Sequence, residues 1–281
     1  MRYGFILSGG DVWTIPEMAV EAETAGWDGV FIPDCISIDL PNYPPGPGYD
    51  PWIVLALMAA RTERVLLGPM LAAISRRRPW KLARETVTLD QLSRGRLVLP
   101  VGLGAATDDA GFYKVGEEMT PRERAQLMDE CLEILQGAWS GEAFSHEGEH
   151  YHVQPMRLLP SSVQQPRIPV WVVGAWPRQK SMQRVLRWDG IIPQKMDRST
   201  NPMTPADIRA IKAYVETNRQ LSTPFEIIWE GETPGDDPAH AAAIVQPWID
   251  AGITWWMEAH WGNIGLDELR ERIRQGPPKI V

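Results

Sequence analysis

VLLGPMLAAISRRRPWKLARETVTLDQLSRGRLVLPVGLG, residues 65–104, decides the fold, because it reads as strand, helix and strand with a glycine-bearing turn after each strand. Val65 to Gly68 is a short apolar run. Pro79 fits the first turn of a helix, where its missing N–H costs nothing, and Gly95 fits the position just past the helix end. Between them Leu82, Thr86, Leu89 and Leu92 recur at helical spacing, and Leu97 to Val101 is the continuous apolar run of a strand covered on both faces. Two parallel strands joined through a helix form a βαβ unit, and its crossover is right-handed almost by default.

The alternation extends in both directions. Tyr3 to Leu7 precedes a helix from about Ile15 to Ala25, closed by Gly26. Gly29 to Ile32 is followed, after the loop Asp34 to Asp50, by a helix from Pro51 to Arg61. Beyond residue 104, Pro121 begins a long amphipathic helix to about Trp139. Pro169 to Val173 then leads into Arg178 to Arg187, and Asp189 to Ile192 into Pro205 to Gln220. Phe225 to Trp229 leads into Pro238 to Ala251, and Thr254 to Glu258 into Leu266 to Gln275. A spacing of about 30 residues per unit, repeated eight times with no break in composition, predicts one α/β domain over residues 1–281, a (β/α)8 TIM barrel. Chemistry is then expected where strands end and helices begin.

Two connections exceed the usual length, and such loops in a compact domain tend to be functional. The loop Asp34 to Asp50 is rich in Pro and Gly. The stretch Gly141 to Arg167 contains GEAFSHEGEHYHV, which predicts an inserted hairpin before the fifth strand. Its His146, His150 and His152 precede a barrel strand on the N-terminal side, away from the expected active face, so no metal site is assigned to them.

A formal net charge of -8 and a pI near 5.2 argue against nucleic acid and anionic membrane surfaces as main partners. Cys35 and Cys131 show neither a CxxC nor a zinc spacing, which fits a reducing compartment. MRYGFILSGG holds too short an apolar run for a signal peptide, and no run approaches the ~20 residues of a membrane span. A cytoplasmic protein is expected.

Glycines follow three strands: Gly9-Gly10, Gly102-Leu103-Gly104 and Gly174. GLGAAT lacks the third glycine of a dinucleotide fingerprint and the acidic partner ~20 residues later, so that reading fails. GAWPR, Gly174 to Arg178, offers backbone N–H groups leading into a helix, with Arg178 able to grip a phosphate. The alternative is an ordinary turn with a surface arginine. Ionisable residues at strand ends are Asp34 with Cys35, Lys195, Glu230, and Glu258 with His260. Each suits proton transfer beside a redox cofactor, or a satisfied structural role. Asp34, Cys35, Glu258 and His260 are the candidate catalytic residues. No serine-nucleophile elbow, HExxH or P-loop points to a hydrolase or kinase.

RRRPWKLARETVTLDQLSRGRLVLPVGLG resembles the hallmark segment of the bacterial luciferase-like monooxygenase family. AETAGWDGVFIPD, FSHEGEHYHV, PSSVQQPRIPVWVVGAWP, RWDGIIP and AGITWWMEAHW match the same family in order, so nearly the whole chain is covered. The resemblance implies a (β/α)8 barrel, usually dimeric, that binds reduced FMN, or in a large branch the deazaflavin F420, at the C-terminal ends of the strands. It implies a bulge after the third strand, often with a non-prolyl cis peptide, at Met70 and Leu71 behind the ring system. Gly102, Leu103 and Gly104 would lie along the ring or ribityl chain, and Gly174, Ala175, Trp176 and Arg178 would hold the phosphate.

The departures are specific. Where the F420-dependent sugar-phosphate dehydrogenases carry an Asp-His pair, this chain has Asp34-Cys35, and their carboxylate after the fourth strand is replaced by Ala105. Gly102 stands where luciferases carry a reactive cysteine. The first expectation is therefore a two-component monooxygenase, taking reduced FMN from a separate flavin reductase and using O2 to oxygenate a small organic substrate. Trp13, Trp176, Trp256 and Trp261 would wall a dry pocket, with Glu258 or His260 steering proton transfer. The alternatives are F420-dependent hydride transfer to a carbonyl, imine or alkene, and a flavin-binding barrel without catalysis.

Overall fold

A computed structural model describes residues 1–36, 48–104, 115–117, 120–196, 202–262 and 264–280. Ala105 and most of the loop between Asp34 and Asp50 lie outside the described residues. The first half contains β1 (Arg2–Ile6), α1 (Thr14–Ala25), β2 (Gly29–Ile32), α2 (Pro51–Arg61), β3 (Leu66–Pro69), a 3-10 turn (Ile74–Arg76), α3 (Pro79–Leu92) and β4 (Leu99–Val101). After α4 (Pro121–Trp139) come β5 (Ala143–Glu147) and β6 (His152–Arg157), then β7 (Val170–Trp176), α5 (Gln179–Val185), β8 (Gly190–Lys195) and α6 (Pro205–Asn218). The chain ends with β9 (Glu226–Gly231), α7 (Pro238–Ala251), β10 (Trp255–Ala259) and α8 (Leu266–Arg274).

Eight strands pair in parallel in the order β3-β2-β1-β10-β9-β8-β7-β4. Parallel bridges Leu67 to Leu97 and Ala72 to Val101 join the two ends, closing the barrel that the strand count predicts. β5 and β6 form the inserted antiparallel hairpin. Glu130 of α4 pins it by accepting the N–H groups of Glu149 (2.9 Å), His150 (3.1 Å) and Tyr151 (2.9 Å). His146 lies 3.4 Å from the same carboxylate, whereas His152 is exposed.

Local chemistry sets the helix ends. At α4, Thr120 and Glu123 exchange a reciprocal capping box, which satisfies two donors that a helix start leaves open. α3 starts on Pro79, and the chain leaves it through Arg94 and Gly95, at φ 55 and 81. β4 is shorter than its apolar run because the Val98 N–H is spent on Leu67 O of β3 (2.8 Å), and the β7 ladder begins only at Leu99. α5 stops at Val185 because Arg187 and Trp188 bond back to Arg184 and Val185, tightening the last turn.

The core has two layers. The larger packs the helices against the outer face of the sheet. The inner one fills the barrel with Ile6, Phe31, Met70, Val98, Trp171, Ile228, Trp255, Met257 and Ala259. Trp171 and Trp255 lie 5.2 Å apart between ring centroids, so the interior is a packed plug and not a pore. Such bulk requires small partners. A Cβ on Gly68 would lie 2.3 Å from the Val98 carbonyl oxygen.

Candidate active site

Strand residues alternate between the two faces of a sheet, so the inner cluster fixes which side chains continue into the barrel mouth. In the β9–β10 ladder Ile228 is level with Trp255 and Glu230 with Met257. Ile228, Trp255 and Met257 belong to the inner cluster, and Glu230 is therefore the next inward group on β9. On β8, Ile192 packs on that cluster and Gln194 follows it; on β1, Ser8 follows Ile6. Trp261 packs on the same cluster just past β10. Met70 forms the floor between them.

Glu230 carries the electrostatics of the mouth. Its side chain is exposed at the rim, yet protein flanks it closely enough that burial pushes its carboxyl above the usual range, partly offset by a hydrogen bond from Trp261. Glu230 belongs to the strand-end ionisable residues in the sequence but not to the four candidates. The missing signal was the two-residue step from Ile228, which also finds Gln194.

The β3 and β4 ends meet as the resemblance implies. The peptide between Met70 and Leu71 is cis, and the Met70 N–H reaches Ile32 O at 2.7 Å. Gly102 donates to Ala72 O at 3.1 Å, and a Cβ on it would come within 2.8 Å of Leu71 Cδ1 and 3.1 Å of Val173 Cγ2. Leu103 O accepts from Arg124 at 2.9 Å, and Gly104 holds φ +80. Met70, Leu71, Gly102, Leu103 and Gly104 thus form one continuous edge.

The β7 end corrects the reading of GAWPR as a row of open donors. Gly174 points outward, where a Cβ would strike Ile191 and Val185. The Ala175 N–H is spent on Ser181 Oγ (2.9 Å), and the Arg178 N–H on Ala175 O (2.8 Å). Pro177 has no N–H. Trp176 faces away from the mouth, edge-on to Tyr214 of α6 at 5.9 Å. What remains for an anion is the exposed Arg178 side chain, held through Nε at 3.2 Å from Met196 O.

Asp34 and Cys35 follow β2. Asp34 forms a two-point ion pair with Arg77 at 2.7 and 2.8 Å, and Arg77 lies over the Trp52 ring at 5.5 Å. Burial raises the Asp34 carboxyl above its ordinary range despite the Arg77 charge. Cys35 is half-buried beside it.

Glu258 is not in the mouth. It is fully buried on the outer face of β10, accepting from Thr233 N and Oγ1 (2.7 Å each), Trp256 Nε1 (3.2 Å) and His260 (3.0 Å), with Arg272 of α8 at 3.3 Å. Burial alone would raise its carboxyl, but His260, Arg272 and Thr233 together hold it below the usual range. These contacts occupy the carboxylate's lone pairs and make it a buried anchor facing α8 and not the mouth. His260 links this network to a cavity of about 530 Å³ walled by Glu232, Asp236, Glu268 and Arg272. The expected aromatic wall also shrinks to Trp261: Trp13 is 70% exposed, and Trp256 lies in the outer core.

Comparison with known proteins agrees with this geometry. An uncharacterized protein of Mycobacterium tuberculosis, Rv0953c, is 30% identical over 202 residues, covering 66% of this chain and 70% of the relative. An F420-dependent glucose-6-phosphate dehydrogenase of Kineococcus radiotolerans is 28% identical over 249 residues, covering 85% of this chain and 69% of the relative. Among solved structures, the F420-dependent tetrahydromethanopterin reductase of Methanopyrus kandleri superposes with a TM-score of 0.74 at 16% identity, over 98% of this chain and 96% of that one. The FMN complex of the oxygenating constituent of 3,6-diketocamphane monooxygenase from Pseudomonas putida gives 0.71 at 16% identity, over 100% and 99%. The family model described as luciferase-like monooxygenase matches residues 5–250, and the chain belongs to that family of oxidoreductases.

Proposed function

We propose that this protein is an F420-dependent oxidoreductase that moves a hydride to or from a small organic substrate at the barrel mouth. The observation that supports the cofactor's identity is sequence kinship to relatives whose names specify F420. The mouth fits a flat tricyclic ring. Its floor of Met70, Trp171 and Ala259 is apolar, Gly102 keeps the β4 edge free of a side chain, and Ser8, Gln194, Glu230 and Trp261 supply polar atoms at the rim.

In this reading Met70 and Leu71 back the ring, Gly102 to Gly104 run along its edge, and Arg178 pairs with the phosphate. The bound cofactor supplies the two electrons. The chain's residues orient substrate against it, exclude water and hold a proton, and Asp34 and Cys35 line the β2 side. A second reading places reduced FMN in the same seat, supplied by a separate reductase, with O2 as co-substrate.

Anaerobic equilibrium titration with reduced F420 and reduced FMN separates them. Micromolar binding of F420 with none of FMN is the expected result. Binding of FMN alone, followed by substrate-dependent O2 consumption, overturns it in favour of the monooxygenase. Absence of binding by both removes the oxidoreductase reading.

A further inference from the structure

At the end of β1 the side chains alternate, with Ile6 in the inner cluster, Leu7 in the outer core and Ser8 returning to the inside. Ser8 is half-buried, and its Oγ donates to the His260 carbonyl oxygen at 2.9 Å. That carbonyl is its one partner among the described residues. The flanking positions are apolar: Trp261 packs on the inner cluster on the β10 side, and Pro33, two residues past Phe31, has neither an N–H nor a polar side chain on the β2 side. Gly9 and Gly10 add no side chain beside it. A hydroxyl holds one proton and two lone pairs. With the proton spent on His260, Ser8 meets a ligand only as an acceptor.

We propose that Ser8 is a ligand-contacting residue whose hydroxyl, its proton engaged by the His260 carbonyl, accepts a hydrogen bond from an N–H or O–H donor of the bound ligand. The acceptor is held in place from behind. The His260 ring stacks on Phe5 at 6.0 Å between centroids, and its Nε2 lies 3.0 Å from the buried Glu258, which fixes the residue whose carbonyl Ser8 grips. Donation to that carbonyl also polarises the hydroxyl oxygen and strengthens it as an acceptor. The donor has two sources: an N–H of the cofactor ring, or the O–H of an alcohol substrate. In the second case the contact favours an alcohol over its ketone, because a carbonyl oxygen has no proton to give. This inference rests on the proposed placement of cofactor and substrate at the mouth.

The test compares the wild type, Ser8→Ala and Ser8→Thr, which keeps the hydroxyl. Reduced F420 and reduced FMN are titrated anaerobically, and cyclohexanol and cyclohexanone are titrated by ligand-observed NMR with and without reduced cofactor. Ser8→Ala is expected to weaken the reduced cofactor or cyclohexanol about fivefold, and Ser8→Thr to restore the affinity. A loss confined to the cofactor assigns the donor to its ring, and one confined to cyclohexanol assigns it to the substrate. Unchanged binding of both in Ser8→Ala overturns the contact. A loss that Ser8→Thr does not restore, or that cyclohexanone shares with cyclohexanol, also overturns it and leaves Ser8 a tie between β1 and β10. Failure of both cofactors to bind the wild type defeats the proposed function, while the alcohol and ketone titrations without cofactor still decide this inference.

Discussion

Glu230 and Glu258 stand on neighbouring strands one row apart, Glu230 level with Met257 and Glu258 level with Gly231. That single step gives them opposite fates. Glu230 rises into the barrel mouth, whereas Glu258 is sealed between the sheet and α8 with four hydrogen bonds from three neighbours and the Arg272 charge.

Removal of the Glu258 charge is accordingly a stability experiment. Glu258→Gln leaves Arg272 buried without its counter-charge and gives Thr233 a poorer acceptor, so a loss of about 3 kcal/mol in urea unfolding at neutral pH is expected. The folded carboxyl titrates below its unfolded value of 4.5, so its contribution is complete above that value and disappears as pH falls through the folded one. The gap between wild type and variant should therefore narrow on acidification. A gap independent of pH would show that the carboxylate's charge is not what stabilises the network.

The barrel seam offers a second test. β3 and β4 meet through few bonds, and Gly68 lies against the Val98 carbonyl there, with 2.3 Å available to a Cβ. Gly68→Ala must displace backbone, and a loss of about 3 kcal/mol is expected. Gly26 is the control: its Cβ would meet nothing, but it holds φ +97 at the end of α1, so Gly26→Ala should cost only about 1 kcal/mol. Similar losses at both sites would contradict the steric argument.

Much of this architecture was legible in the sequence, and what was not turns on contacts between segments. Apolar runs, Pro79 and Gly95 mark the elements, since helix and strand periods and chain stiffness are local properties. The meeting of Met70, Leu71 and Gly102 was accessible through the family motif. Which face a strand-end residue occupies depends on the register of its neighbours, and that register alone separates Glu258 from Glu230. The same limit applies to Trp176 and Trp256, whose outward orientation follows from ladders that no local pattern reveals. At GAWPR the composition was read correctly, but the donors were already engaged by Ser181 Oγ and Ala175 O.

The Asp34 and Arg77 pair yields an asymmetric prediction. Arg77→Ala leaves a carboxyl whose side chain is only 4% exposed without its counter-charge, and about 3 kcal/mol of stability should be lost at neutral pH. Because that carboxyl already titrates above the ordinary range, the unpaired group should take up a proton more readily still, and the deficit should shrink as pH falls. Asp34→Asn removes the charge needing compensation, leaves the partly exposed Arg77 over Trp52 and should cost less than Arg77→Ala. Equal losses would mean that packing, and not charge, binds the two residues.

Arg178 supplies the sharpest check on the cofactor's orientation. Its arm is held at Met196 O while its terminal nitrogens lie toward solvent at the end of β7. If they meet the cofactor phosphate, Arg178→Ala should weaken binding by about 1.5–3 kcal/mol, the range for a hydrogen bond to a charged group. The phosphate-free deazariboflavin core of F420, which keeps the ring and ribityl chain, gives the internal reference by competition with the bound cofactor. Its affinity should not change in the variant. Lys180, also exposed in the first turn of α5, is the companion substitution, and Lys180→Ala should leave both affinities within about twofold, as screening of an exposed charge dictates. An equal loss for that phosphate-free core in Arg178→Ala would assign the arginine to the β7 turn itself, through its bond to Met196, and the phosphate would have to be sought along Gly102 to Gly104.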